Sequence, residues 1–142
     1  MSTAHVTYGQ RNGWTMVHVS GDLDLAGVSA VRERLLRFIW EGCRHLVVDL
    51  SSLNFCDSSG FAVLVAARRH MAARHGHLRL ALPAPGTQVR SALTVFGTDR
   101  VFDVYENPAD AVASLAATRP AAPRQRAREA RPALGAIPAQ RR

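Results

Sequence analysis

The residues Asp57-Ser58-Ser59-Gly60 bring one carboxylate and two hydroxyls together beside a glycine. They follow the most hydrophobic short run of the chain, His45 to Ser51, and precede an apolar-periodic run from Phe61 to Met71. The pattern reads as strand, tight polar turn, helix. It sets the hydroxyls at the carboxyl end of a strand, where α/β proteins place function. A second turn of this kind, Gly21-Asp22-Leu23-Asp24, leads from an earlier strand into a helix. Turns that follow neighbouring parallel strands share one rim, so Asp22, Asp24, Asp57, Ser58 and Ser59 are expected to form a compact polar patch. As a helix cap, Asp57 would accept the amide protons of Ser59 or Gly60 and stabilise the turn by about 1 kcal/mol. Gly60 costs helix propensity in a first turn. It is expected to leave room for a partner's backbone or a kinase active site.

Ser58 falls at the first helical position, where free amides and the helix dipole favour an anion. A phosphate there adds roughly −1.5 to −2 charges. The fold should tolerate it, but a partner docked over the patch would meet a dianion beside Asp22, Asp24 and Asp57. Losing about 3–4 kcal/mol lowers affinity by two to three decades. The residues therefore describe a binding switch: the unmodified form binds and the modified form lets go.

Other chemistries lack their parts. There is no glycine-rich dinucleotide fingerprint, and the chain holds no lysine for a phosphate loop. The serine turn is not the Gly-x-Ser-x-Gly elbow of hydrolases, and no serine, acid and histidine set is evident. Asp22-Leu23-Asp24 shares two residues with aspartyl-phosphate hydrolases, but position 26 is alanine where a hydroxyl is needed. His70, His75 and His77 are too loosely spaced for a metal site. Cys43 and Cys56 make no disulfide framework and read as small apolar fillers. Asp49, inside an apolar strand, needs a partner such as a backbone amide or an arginine. His18 reads as a satisfied sheet residue.

The elements that must hold the patch are legible as short strands alternating with helices. Asn12-Gly13 reads as a hairpin turn between strands at 6–8 and 14–20. Asp24 is placed to cap a helix with apolar positions at Val28, Val31, Leu35, Phe38 and Ile39. His45 to Ser51 is a central parallel strand. In the second helix, Phe61, Leu64, Val65, Arg68, Met71 and Ala72 are expected on the inner face. A strand at 78–82, a helix capped by Thr87, a strand at 101–105 and a helix capped by Asn107 complete the body. The expected fold is α/β, with a mostly parallel sheet of four to five strands, one N-terminal antiparallel hairpin and about four helices. The body is expected to run over 1–117, with 118–142 a disordered tail rich in Arg, Pro and Ala.

Charge supports that division. Of the chain's 142 residues, 119–142 carry seven of the 18 arginines and one acid, a net +6, which leaves +1 on the body. The high isoelectric point belongs to the tail, so no specific nucleic-acid interface is expected on the body. No run approaches the length of a membrane span and no signal segment is evident, which implies a cytoplasmic protein.

At these residues the chain resembles the STAS family, closest to the soluble bacterial anti-anti-sigma factors of the sporulation and stress-response type. Gly21-Asp22-Leu23-Asp24 is similar to the family's Gly-Glu-Leu-Asp turn. Val47 to Ser51 with Leu53 and Phe55 is similar to its central strand, and Asp57-Ser58-Ser59-Gly60 to its most specific motif. The resemblance covers about residues 6–117. It implies a STAS fold and an anti-sigma factor antagonist, not an enzyme. The implied partners are an anti-sigma factor that is a serine kinase and a metal-dependent serine phosphatase. Ser58 would be the phosphoacceptor, Asp57 and Gly60 would support the turn, and Gly21, Asp22, Asp24, Ser59 and Phe61 would contact the partner. ATP and magnesium would belong to the kinase, leaving this chain without a cofactor, as a monomer or weak homodimer. Asp22 for Glu, Cys56 for a larger apolar residue and Phe61 for Leu depart from the family pattern. The alternative is a STAS scaffold or transport accessory protein without a sigma-factor cycle. The lysine-free composition suits a GC-rich bacterium such as an actinomycete.

Overall fold

Asn12 and Gly13 both adopt positive φ, +52° and +83°, as a two-residue hairpin turn requires. They join strand β1 (His5–Arg11) to β2 (Trp14–Leu23) in an antiparallel pair, with Arg11 opposite Trp14. The computed structural model describes residues 4–113 and 115. The boundary expected at 117 and the tail expected over 118–142 lie outside them.

After the hairpin the chain alternates as expected. Helix α1 (Val28–Trp40), strands β3 (His45–Asp49) and β4 (Leu53–Cys56), helix α2 (Ser58–Ala73) and strand β5 (His77–Ala81) follow in turn. Helices α3 (Gln88–Phe96) and α4 (Thr98–Val101), strand β6 (Asp103–Tyr105) and helix α5 (Pro108–Ala111) complete the described body. The sheet order is β1-β2-β3-β5-β6, parallel except for the hairpin, and β4 pairs with the far end of β2. The α/β architecture is the one the sequence implies, with one more strand, β4, and one more helix, α4.

The sheet is covered on both faces, as the apolar character of both sides of β2 requires. On one face Val17, Val19, Leu46, Val48 and Leu80 pack with Val31, Leu35 and Leu64 of α1 and α2. On the other, Trp14, Met16, Val47 and Ala81 pack under Ala111 and Val112. Arg79 is buried in this second layer. Its guanidinium lies 4.2 Å from the Trp14 ring centroid and 5.0 Å from that of Tyr105, and Nη1 donates to the Ala111 carbonyl at 2.8 Å. The caps expected at Thr87 and Asn107 form, accepting from the Arg90 and Asp110 amides.

Four local expectations need correction. Gly21-Asp22-Leu23 is not a turn: β2 runs through it because β4 supplies a hydrogen-bonding partner, with Gly21 opposite Leu53 and Asp22 opposite Phe55. Gly21 sits at a register shift with φ +84°, a bulge that suits glycine. Asp24 does not cap α1. It accepts the Gly27 amide at 3.0 Å one turn earlier, and Gly27 precedes the helix. Val101 belongs to α4, because Gly97 at φ +90° starts a fresh turn that buries Thr98 against the Leu93 carbonyl at 2.6 Å. Finally, α2 is rotated from the expected face. Gly60, Val63, Leu64, Ala67 and Met71 are buried, while Phe61 and Val65 lie at the edge of the core.

Candidate functional site: the rim at Ser58

The start of α2 explains the site from the residues upward. Asp57 is extended at φ −104°, ψ −173°, and its Oδ1 accepts the Ser59 and Gly60 amides, each at 3.0 Å. The Ser59 hydroxyl donates to the same oxygen at 2.5 Å. These bonds, the Ser59 hydroxyl foremost, hold the Asp57 carboxyl below the usual carboxylate range, against the opposing pull of burial; the Leu25 amide adds to them. The Asp57 amide in turn donates to the Leu23 carbonyl at 3.3 Å. One residue therefore ties the helix start to the segment that leaves β2.

The two serines are not equivalent. Ser59 is half-buried and its hydroxyl is committed to Asp57. Ser58 is exposed at the first helical position, and its hydroxyl makes no hydrogen bond among the described residues. The Ser58 hydroxyl is reachable from solvent without the loss of a hydrogen bond. Reaching Ser59 would first require removing its donor from the cap.

Gly60 has an internal cause, which corrects the expectation that it makes room for a partner. A Cβ at this position would overlap the Leu23 carbonyl oxygen, and would come within 2.8 Å of Leu23 Cγ and 3.1 Å of Cys56 Sγ. Gly60 lets the first turn of α2 lie directly on β2 and β4. Cys56 is buried there, and burial, followed by the Asp57 charge, pushes its thiol up to about 12. It is a filler with no thiolate chemistry at neutral pH, as the sequence suggests.

Gly21, Asp22 and Asp24 lie half-buried on the neighbouring segment, and the β2–β4 pairing brings Asp22 beside Phe55. Phe61 is half-buried and stacks on Phe96 at 5.3 Å, with its edge contact to Phe102 at 6.0 Å. It joins α2 to α3 and presents only part of its ring. Two residues escape the sequence reading. Leu25 is 76% exposed and Phe55 48% exposed, so large apolar side chains flank the polar rim. Leu25 precedes the apolar positions of α1, which begin at Val28, and has no place in that pattern. Phe55 looked like an approach to the turn, because β4 is too short for its alternation to be read.

The remaining candidates settle into structural places. Asp49 accepts the Ser51 amide at 3.0 Å and sits 2.7 Å from His18 Nδ1, so its partners are a backbone amide and a histidine, not an arginine. His18 is satisfied by that pair. His70 meets the Trp40 ring edge-on at 6.4 Å, while His77 stacks on His45 at 5.6 Å. Among the described residues no group of three His, Cys, Asp or Glu is placed to hold a metal ion, and no helix is long and apolar enough to cross a membrane.

Comparison with known proteins gives the family and the fold. The chain is 25% identical over 110 residues to the anti-sigma-F factor antagonist RsfB of Mycobacterium tuberculosis, a match that covers 78% of this chain and 88% of that one. It is 28% identical over 104 residues to an anti-sigma F factor antagonist of Paenibacillus polymyxa, covering 72% and 87%. The crystal structure of an anti-sigma factor antagonist from Mycobacterium paratuberculosis superposes with a TM-score of 0.69 at 24% identity, over 78% of this chain and 92% of that one. A family model described as "Mlab, STAS domain" matches residues 6–105. With that match spanning the sheet from β1 to β6 and the Ser58 rim between them, the chain belongs to the STAS family.

Proposed function

We propose that this protein is an anti-sigma factor antagonist that binds an anti-sigma factor serine kinase when Ser58 is unmodified and releases it when Ser58 is phosphorylated. The observation that carries the reading is the exposed, unbonded Ser58 hydroxyl at the start of α2, beside a Ser59 held by Asp57. The names of the relatives support the antagonist role. In the switching step the kinase transfers the γ-phosphoryl group of its ATP to Ser58 Oγ. The bond to ADP breaks, and the hydroxyl proton passes to a base of the kinase. Magnesium and ATP come with that partner, and this chain contributes no catalytic group. Hydrolysis by a metal-dependent serine phosphatase restores the hydroxyl. The protein works in the cytoplasm, as a monomer or weak homodimer.

Each rim residue has a part in this reading. Asp57 fixes the turn and Gly60 seats it on the sheet. Gly21, Asp22, Asp24, Ser59 and Phe61 contact the partner, with Leu25 and Phe55 supplying apolar area around them. The phosphate enters a patch that already holds Asp22, Asp24 and Asp57, so a docked, desolvated partner would face a concentration of negative charge. The α2 terminus itself accommodates the anion.

The test is a pull-down with mass spectrometry. Wild type brings down a kinase-like anti-sigma factor and carries phosphate on Ser58. Ser58→Ala keeps binding and loses the phosphate. Ser58→Asp weakens binding by about two decades with an unchanged melting curve. Equal capture by wild type and the Asp variant would overturn the switch. Capture of a partner indifferent to residue 58 would favour the scaffold or transport-accessory reading.

A further inference from the structure

Strand β1 is a free edge of the sheet. Among the described residues no strand pairs on its outer side, and it is seven residues long where the strand at the other margin, β6, has three. Natural sheets blunt such edges with a charge, a proline or a bulge. From Val6 to Gln10, β1 carries none of these, and its register with β2 runs without a shift from His5 to Arg11.

The hairpin decides which main-chain groups the edge offers. In a two-residue hairpin the residues flanking the turn, here Arg11 and Trp14, exchange both hydrogen bonds, and such pairs alternate along the ladder. His5, Thr7, Gly9 and Arg11 therefore point their amides and carbonyls inward to β2, while Val6, Tyr8 and Gln10 point theirs outward. Tyr8 is the midpoint of the strand. It is 56% exposed, with its ring 5.0 Å from that of Phe38 and 5.1 Å from the Arg34 guanidinium.

A groove of about 260 Å³ lies between the start of β1 and one stripe of α1, formed by Ala30, Glu33, Arg34 and Arg37. Glu33 and Arg37 have no ion-pair partner among the described residues. The stripe carries both signs of charge. An inverted copy of itself complements it better than a uniformly acidic or basic surface would.

We propose that the β1 edge pairs antiparallel with the β1 edge of a second copy of this chain, about a twofold axis between the two Tyr8 residues. That register matches every outward group. Tyr8 faces Tyr8, Val6 faces Gln10 and Gln10 faces Val6, each pair exchanging both of its main-chain bonds. The same axis lays the two α1 stripes antiparallel on one face of the joined sheet. It brings Glu33 of each copy toward Arg34 and Arg37 of the other, as an isologous contact requires. A strand of this length runs about 24 Å. An edge contact of that length with one helix stripe buries on the order of 1,000 Å² in total, at the lower end for specific association. The dimer is therefore weak and forms with concentration. Of the monomer and weak homodimer that the function allows, this names the second and its face; the Ser58 switch does not depend on it.

Sedimentation velocity of the full chain tests the proposal, in about 0.15 M salt to screen the net charge of +7 on each copy. The weight-average sedimentation coefficient should rise between about 5 and about 500 μM. Gln10→Pro removes an outward N–H, spares the ladder with β2 and follows a glycine, which accepts a following proline. It should weaken dimerisation about ten-fold. Glu33→Arg, a change at an exposed position, should do the same by placing like charges together, and Glu33→Arg combined with Arg37→Glu should restore association. Amide exchange followed by NMR reads the pattern directly: Val6, Tyr8 and Gln10 gain protection as concentration rises. A coefficient that stays that of a monomer overturns the proposal. A dimer whose Tyr8 amide gains no protection, or one that Glu33→Arg leaves intact, overturns it too, because that dimer uses another face.

Discussion

The Asp57 carboxylate accepts the Gly60 amide at 3.0 Å on the same turn where Gly60 lacks the side chain that would strike the Leu23 carbonyl. The cap that starts α2 and the close approach that seats it are thus adjacent features of one four-residue motif. Helix-cap chemistry alone would account for Asp57 and leave Gly60 unexplained. The contact with β2 accounts for both.

Gly60→Ala is expected to destabilise the protein by about 1–3 kcal/mol through overpacking, although alanine is the better helix former by about 1 kcal/mol. Urea unfolding measures the sign. A more stable variant would mean that α2 does not lie this close to Leu23 and Cys56.

Asp57→Ala is expected to cost about 0.5–2 kcal/mol at neutral pH. The folded carboxyl is held below its usual range. Its contribution is therefore complete above the unfolded value near 4 and fades as pH falls through the folded one. The stability gap between wild type and Asp57→Ala should stay constant from neutral pH down to the unfolded carboxyl value near 4 and narrow only below it. A gap that persists undiminished in acid would show that the charge is not what the cap uses.

His45 gives a pH effect in a different window. Burial, then the charges of His77 and Arg79, lower its affinity for a proton in the folded state. The unfolded chain binds that proton more readily, so stability is full above about pH 6.5 and declines as pH falls below it. His45→Gln should flatten the stability profile between about pH 7 and pH 5. Parallel profiles for the two proteins would exclude His45 as the source.

Arg79→Ala is expected to cost about 3–5 kcal/mol, because it leaves Asp103 with an 8% exposed side chain beside an emptied site. It also removes the Nη1 bond to the Ala111 carbonyl. Near-UV circular dichroism of Trp14 and hydrogen exchange of α5 should both report loosening. Arg79→Met, which refills the volume, should be milder in the near-UV signal.

The sequence made the alternation of strands and helices legible, because each apolar run is bounded by a turn residue with a local reason to be there. It also made the Asp57 cap and the exposure of Ser58 legible, since both follow from a polar residue one step before a helix. The extension of β2 through Gly21 was not legible, because it depends on β4, which is four residues long and pairs with residues 32 or 33 positions earlier in the chain. The rotation of α2 was hidden for a different reason. Its inner face, Gly60, Val63, Leu64, Ala67 and Met71, does recur at steps of three and four, but Gly60 and Ala67 are small, and the larger Phe61 and Val65 draw the pattern one position away. The partner of Asp49 was open between amide and arginine, and His18 came to it through strand register.

The ladder between β2 and β4 sets how the rim meets the outside world. Asp22 lies opposite Phe55, two residues before the Asp57 cap, so the two halves of the patch are laced together by main-chain hydrogen bonds. Neither half can drift without unzipping a strand. For the partner proposed above, such a rim would be a template already cast, with little association free energy going into freezing loops. Discrimination among related regulators would then reside in the side chains mounted on that template, and exchanging those of Asp22, Leu25 and Phe55 would be the route to rewiring it.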